Sequence, residues 1–323
     1  MLGLLLHRLA LTALFAAGAK NKQGRATHKT GVGARGTLAV RDTLELPEHD
    51  LWQPGRRFDL LLRHANLNEE DDLSADYRGA ALRLIDPGSG AAVLDILMNT
   101  GATTVWCHVA MFAERMRLML RKQLPKFYER HPDALDRYWG GLRRAPDSYE
   151  GLAYYSKLTG KYVDRSGKTW GCRYRMIPPE PWDGVETGLP TQRDRDAGVL
   201  ATERWPEETR PKDTLRKAYH ARVAEGPIRY RLQIAVREVS DDYRDQAFDP
   251  CRAWDEATHP WRELAELSID APLPDAKTES LAFNIANAPA SLGLFPARSA
   301  KDHTSIAWLR ATLYTKAAAK RPR

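Results

Sequence analysis

The chain has 323 residues, of which 43% are hydrophobic and 28% charged, a balance that excludes a disordered polypeptide and gives one large domain or two smaller ones a substantial core. Its net charge of +7 suits an anionic small substrate such as a carboxylate, while arginines spread along the chain, with no helix-turn-helix, zinc-finger or RNA-binding signature, speak against nucleic acid as a partner. The cysteines, Cys107, Cys172 and Cys251, lie far apart and form no C-x-x-C pair, which argues against a disulfide framework or a structural zinc site and for a reducing cytoplasm.

Leu2 to Ala19 is apolar and ends in Ala16-Ala17-Gly18-Ala19, as a signal segment would. His7 and Arg8 interrupt it, however, and no basic residue precedes it. Leu2, Leu5, Leu6, Leu9, Thr12, Ala13 and Ala16 recur at helical spacing. Residues 1–20 are therefore expected to form an amphipathic helix that packs on the body or touches a membrane surface peripherally. The uninterrupted apolar stretch is too short to span a bilayer.

Residues 20–35, rich in Lys, Gly and Thr, read as a loop. Strand signals follow at Gly36–Leu46, Phe58–Leu62, Ala80–Ile85 and Ala92–Met98, with turns at Pro54-Gly55 and Asp86-Pro87-Gly88. Four strands so closely spaced suggest an antiparallel meander or barrel. Val109–Leu124 is helical by spacing, with a break or kink at Pro125, and a second helix is expected between Asp133 and Arg144. Tyr154–Ile177 alternates as strands, stopped by Pro178-Pro179. The polar, Pro-rich stretch 178–212 reads as a surface crossover. A helix over Thr214–Glu225, strands over Ile228–Val239 and Trp261–Ile269, and a helix from about Thr304 to Ala319 complete the pattern. Lys316, Lys320, Arg321 and Arg323 read as a short basic tail. The fold class is α+β, in a single domain.

Three places carry chemistry. In Arg310-Ala311-Thr312-Leu313-Tyr314, helical spacing sets a guanidinium beside a phenol oxygen. A neighbouring cation favours phenolate, and phenolate is an axial ligand for ferric haem; an ordinary surface pair is the plainer reading. In Arg25-Ala26-Thr27-His28, closely spaced glycines and then a strand follow, which could hold the imidazole in a fixed position. Asn99 ends a strand, where a turn role is the plainer reading.

Taken together these residues resemble the haem catalase superfamily. The order matches: R-x-x-H with a glycine-rich continuation (Arg25, His28), a strand ending in Arg63, the pair Arg78-Gly79 opening a strand, Asn99, and the late R-x-x-x-Y of Arg310 and Tyr314. Tyr219 to Val236, Asp249-Pro250 to Trp254, His259-Pro260-Trp261, and Leu281 to Asn284 with Asn287 and Pro289 are similar as well, so the resemblance runs from about residue 25 to 315. It implies a closed antiparallel barrel of catalase type enclosing haem b with ferric iron. His28 and Asn99 would lie on one face of the haem and the ligand Tyr314 on the other, with Arg310 holding Tyr314 as phenolate and Arg25 and Arg63 on the propionates. Residues 21–323 would form this single haem domain, and the family implies assembly, of which a homodimer is the smallest form. Cys107 and His108 are read as packing residues, and Trp106 stands where a phenylalanine-rich segment would follow the Asn.

The chain departs from a typical catalase. It is much shorter, and after Tyr314 it continues as Thr315-Lys316-Ala317 rather than a His/Arg-rich stretch, so the third propionate partner is not identified. Thr27 stands where catalases usually carry Val, as in the catalase-related branch that metabolises fatty-acid hydroperoxides, which includes coral-type allene oxide synthase. A hydroxyl beside the imidazole can hydrogen-bond it and restrict its use as a proton shuttle. The resemblance therefore implies a haem enzyme acting on an organic hydroperoxide, as a peroxidase or a hydroperoxide isomerase. A compact true catalase and a haem oxidase or peroxidase of natural-product biosynthesis are the alternatives.

Overall fold

The structure, a computed structural model, describes residues 2–18 and 25–319. The remaining parts of the expected N-terminal helix and of the loop after it, and Lys320, Arg321 and Arg323, lie outside the described residues. Helix α1 (Leu2–Gly18) is followed by four strands, β1 (Gly31–Val40), β2 (Arg57–Asn66), β3 (Arg78–Ile85) and β4 (Ala92–Asn99). Three helices come next, α2 (Val109–Leu120), α3 (Leu124–Arg130) and α4 (Pro132–Gly141). Then come β5 (Tyr154–Tyr155), β6 (Gly160–Val163), β7 (Thr169–Ile177), α5 (Gln192–Ala197), α6 (Thr214–Glu225), β8 (Ile228–Glu238), β9 (Arg262–Pro272), α7 (Asp275–Ser280) and α8 (Ser305–Ala318).

The strands close into a barrel. Each of β1 to β4 pairs with the next, β9 pairs with both β1 and β8, and β8 with β7. The two-residue β5 completes the ring by pairing with β4 on one side and β7 on the other, while β6 adds to β7 outside it. All these pairings are antiparallel. Closure removes the edges that an open sheet of this length would expose. Alternation decides which side chains fill the barrel: Leu60, Leu62, Ala80, Leu82, Leu84, Leu94, Ile96 and Met98 point into its core. The intervening Leu61, Ala81 and Leu97 face outward, where Leu273, Leu281 and Phe283 cover them.

Several boundaries differ from the sequence expectation, for physical reasons. The expected loop over 20–35 gives way to strand from Gly31, and the strand ends at Val40 rather than Leu46. The glycines there mark close approach instead of a turn. A Cβ at Gly31 would sit 2.5 Å from the His64 carbonyl oxygen, and one at Gly36 1.9 Å from that of Ser268, beside a register shift in the β1–β9 pairing. Pro125 does not kink a long helix. It stands in the first turn of α3, where its missing N–H costs nothing. The crossover 178–212 contains α5, opened by a capping box between Thr191 and Asp194.

Helix α8 packs Ile306, Leu309 and Leu313 against Leu4 and Leu11 of α1 and Val109 and Phe112 of α2. No helix among the described residues is long and apolar enough to cross a membrane.

Candidate active site

Between the outer face of β2–β4 and α8 lies a cavity of about 500 Å³, within the range of small-molecule sites. It is lined by the segment Arg25–His28, by Arg63, Gly79, Leu97, Asn99 and Phe283, and by Arg310, Tyr314 and Lys316. All seven residues singled out from the sequence, Arg25, Thr27, His28, Arg63, Asn99, Arg310 and Tyr314, line this one space.

Strand register builds its floor. Ala65 pairs with Gly79 and Gly79 with Asn99, so these outward positions form one rung across three strands. Gly79 is the small member that lets its neighbours converge. A Cβ there would lie 2.9 Å from His28 Cε1 and 3.3 Å from Asn99 Oδ1. His28 occupies left-handed backbone at φ 54°. Its N–H donates to the Leu67 carbonyl at 2.8 Å, and its own carbonyl accepts from Arg63 Nη2 at 3.2 Å. Such a conformation persists in a non-glycine residue only where its surroundings hold it.

Burial pushes the His28 imidazole down to about 3, with Arg63, Arg25 and Arg310 adding to the effect and a hydrogen bond with the Asn66 backbone opposing it. The ring is therefore neutral near pH 7 and can accept a hydrogen bond, while burial and the arginines keep any protonated form short-lived. The expected tie between Thr27 and this ring is not present. Among the described residues, the ring's hydrogen bond goes to Asn66, while the Thr27 side chain lines the cavity.

On α8, Arg310 Nε donates to the Tyr314 phenol oxygen at 2.8 Å. The pair is thus a cavity wall and not a surface pair. Asn284 secures this helix, donating from Nδ2 to Thr315 Oγ1 at 2.9 Å, while its own N–H donates to Asp95 on β4 at 2.8 Å. Lys157, buried, donates to the Thr100 carbonyl at 2.8 Å and fixes the chain just beyond Asn99.

Two participants escaped the sequence reading. Glu279 sits at the arginine end of the cavity, with Oε1 3.3 Å from Arg63 Nη2 and Oε2 3.5 Å from Arg25 Nε. It is one of two carboxylates in α7, and nothing local marks it; its position two residues before the flagged Leu281 was the available signal. Lys316, read as part of a basic tail, instead lines the cavity, nearly two turns beyond Arg310 on α8. Cys107 and Cys251, distant in sequence, have sulfur atoms within 4.8 Å of each other.

No family model matches the chain. It is 38% identical over 293 residues, 90% of its length, to the allene oxide synthase-lipoxygenase protein of Plexaura homomalla, and covers 27% of that protein. It is 28% identical over 313 residues to a linolenate 9R-lipoxygenase of Nostoc sp., covering 38% of it. The chain thus spans well under half the length of either relative. Among solved structures, a bacterial catalase superposes with a TM-score of 0.72 at 20% identity, over 97% of this chain and 60% of that one. Catalase A from Saccharomyces cerevisiae gives 0.68 at 17% identity, over 97% and 64%. The barrel is that of the catalases, and across 90% of its length the chain is similar, at 38% identity, to part of the coral protein.

Proposed function

We propose that this chain is a haem enzyme that binds haem b through Tyr314 and breaks the O–O bond of an organic hydroperoxide, a fatty-acid hydroperoxide in particular. The observation that carries this reading is the convergence on one cavity of a neutral His28 beside Asn99 and of a Tyr314 whose oxygen accepts a hydrogen bond from Arg310. Residues 21–323 would act as one haem domain, with the N-terminal helix packed against it.

The residues present fit the cofactor. Leu97, Phe283 and Leu313 offer apolar walls to a macrocycle. At one end Arg25 and Arg63 outnumber the single carboxylate of Glu279, and Arg63 Nε is buried without a hydrogen-bond partner. That leaves donor capacity and net positive charge for propionates. Lys316 supplies a further cation, a candidate for the third propionate partner. Haem bound there would supply the redox-active iron, with Tyr314 as its protein ligand.

The chain's own residues orient and protonate. Asn99 and His28 offer hydrogen bonds to the two oxygens of a hydroperoxide, and the imidazole nitrogen not engaged by Asn66 takes up the hydroperoxide proton. The same imidazolium returns that proton to the departing oxygen. In the allene oxide synthase reading the O–O bond breaks, the retained oxygen bonds a second carbon, and the departing oxygen leaves as water with the hydroperoxide proton and one hydrogen from the carbon chain, so no external reductant enters. The guanidinium of Arg310 stabilises negative charge on the Tyr314 oxygen throughout. The coral relative's name supports the hydroperoxide reading over that of a true catalase.

The test is to offer haem-loaded protein a fatty-acid hydroperoxide and hydrogen peroxide in parallel. Faster consumption of the lipid hydroperoxide, with no reductant added, is the expected result. Faster dioxygen release from hydrogen peroxide would assign a compact catalase instead.

A further inference from the structure

The cysteines argued against a metal site because no two of them are near in sequence. The fold overrides that spacing. Cys107, just before α2, and Asp249 and Cys251, in the connection between β8 and β9, place two sulfurs and a carboxylate oxygen all within 4.8 Å of one another. Cys251 and Asp249 are buried and Cys107 is half-buried, which leaves an approach from solvent.

The two segments are held rigidly. Thr104 N–H donates to the Pro250 carbonyl at 2.8 Å, and Cys251 N–H to Asp249 Oδ1 at 2.9 Å. Arg173 clamps the second segment through the Asp249 and Arg252 carbonyls, at 2.8 and 2.6 Å. Around the cluster, Cys107 Sγ donates to Met111 Sδ at 3.5 Å and Cys251 Sγ lies 3.8 Å from Thr104 Oγ1. Three potential ligand atoms are thus gathered around one point. Arg252 Nε, from an exposed position, lies 3.5 Å from Asp249 Oδ2.

We propose that Cys107, Cys251 and Asp249 form a site for a thiophilic divalent cation of the Zn²⁺ class, with water as the fourth ligand. Two sulfurs and one carboxylate are a zinc donor set, and tetrahedral bonds of about 2.3 Å to sulfur and 2.0–2.2 Å to oxygen require neighbouring ligand atoms roughly 3.5 Å apart. That is a small contraction of the present cluster. His303 stands outside the ligands as an orienting group. Its Nδ1 is 3.2 Å from the Cys107 carbonyl oxygen and 3.7 Å from Asp249 Oδ1, the place of a hydrogen-bonding partner to a ligating carboxylate. Binding displaces the thiol protons to solvent and changes no oxidation state. The cation would staple the segment that leaves Asn99 to the β8–β9 connection, independently of any haem.

The experiment is elemental analysis of the haem-loaded full chain after incubation with zinc and exhaustive dialysis, with thiol titration in parallel. The expected result is one zinc per chain, with Cys107 and Cys251 protected from a thiol reagent until a chelator is added. Cys107→Ser and Cys251→Ser should each abolish zinc retention, and Asp249→Asn should weaken it about 10- to 100-fold, with iron content unchanged in all three. Cys172, elsewhere in the barrel core, is the control thiol: Cys172→Ser should keep the zinc. Wild-type protein that retains no zinc while its thiols titrate freely would overturn the proposal without recourse to variants. So would a Cys107–Cys251 disulfide found in unreduced peptides after exposure to hydroperoxide, which would make the pair a redox couple.

Discussion

Two histidines lie on opposite sides of Gly79 and share one electrostatic fate. His64, inside the barrel, is pushed down to about 3 by burial, and His28, in the cavity, is brought to about 3 by burial and three arginines. Their partners differ. His64 Nε2 meets the Tyr230 hydroxyl at 3.1 Å and Nδ1 the Gly79 carbonyl at 3.3 Å, and its ring stacks on Tyr149 with centroids 5.1 Å apart. Tyr154 and Tyr219 complete the cage. Both ring nitrogens are committed and no space adjoins them. His28 faces the cavity beside Asn99. A strongly depressed histidine is therefore no sign of function by itself; what separates the two is an uncommitted nitrogen next to room for a substrate.

The largest effect should break this pair apart. His28→Ala is expected to lower hydroperoxide turnover by roughly 10²–10⁴-fold, the usual contribution of a positioned acid–base group, with melting temperature and haem content kept. His64→Leu should do the reverse. It leaves the buried Tyr230 hydroxyl without its imidazole partner and should cost about 1–3 kcal/mol of stability, with turnover retained. Denaturant melts and steady-state rates on both variants check the contrast. Equal losses of rate would show that the cage, too, takes part in the chemistry.

Next in size is Gly79→Ala. The added methyl would meet His28 and Asn99 at 2.9–3.3 Å and move the imidazole, so turnover should fall about tenfold to a hundredfold while haem content stays unchanged. An unchanged rate would mean that the His28–Asn99 geometry is not critical.

A smaller effect concerns the arginine end. Arg63→Gln should lower haem affinity by about tenfold, the equivalent of one charge-assisted bond. Glu279→Gln should raise it by a few-fold, because it removes the internal competitor. Haem titrations followed at the Soret band give both signs.

A separate effect is on acid stability. Both histidines have folded-state values below the ordinary 6.5. Between pH 6.5 and about 3 the unfolded chain therefore binds protons that the folded chain does not. Stability is full above pH 6.5 and declines as pH falls through that window. The decline should be shallower in His64→Leu, measured by urea melts from pH 7 to 4.

The legible and illegible parts of this molecule divide by the range of the interactions that make them. Strand and helix periodicity exposed β2, β3, β4, α6 and α8, because each carries its own alternating or helical apolar stripe. The order of Arg25, His28, Asn99, Arg310 and Tyr314 exposed the site. What stayed hidden depends on contacts across the fold. The glycines of β1 read as loop until the neighbouring backbone of β2 and β9 explains them. The two-residue β5 that closes the ring carries no periodicity of its own. Glu279, Lys316 and the Cys107–Asp249–Cys251 cluster acquire meaning only from neighbours more than a hundred residues away, except Lys316, which the last turns of α8 carry into the cavity. Thr27 lines the cavity but makes no hydrogen bond to the imidazole among the described residues, and the backbone group that contacts the ring is one that sequence does not display.

Ligation through Tyr314 is tested by the visible spectrum of haem-loaded wild-type protein beside Tyr314→Phe. A high-spin ferric spectrum in the wild type that changes or weakens in the variant is the expected result, because the phenol oxygen bonded to Arg310 would be the iron's protein ligand. Identical spectra in the two proteins, or no Soret band after haem loading of the wild type, would contradict it.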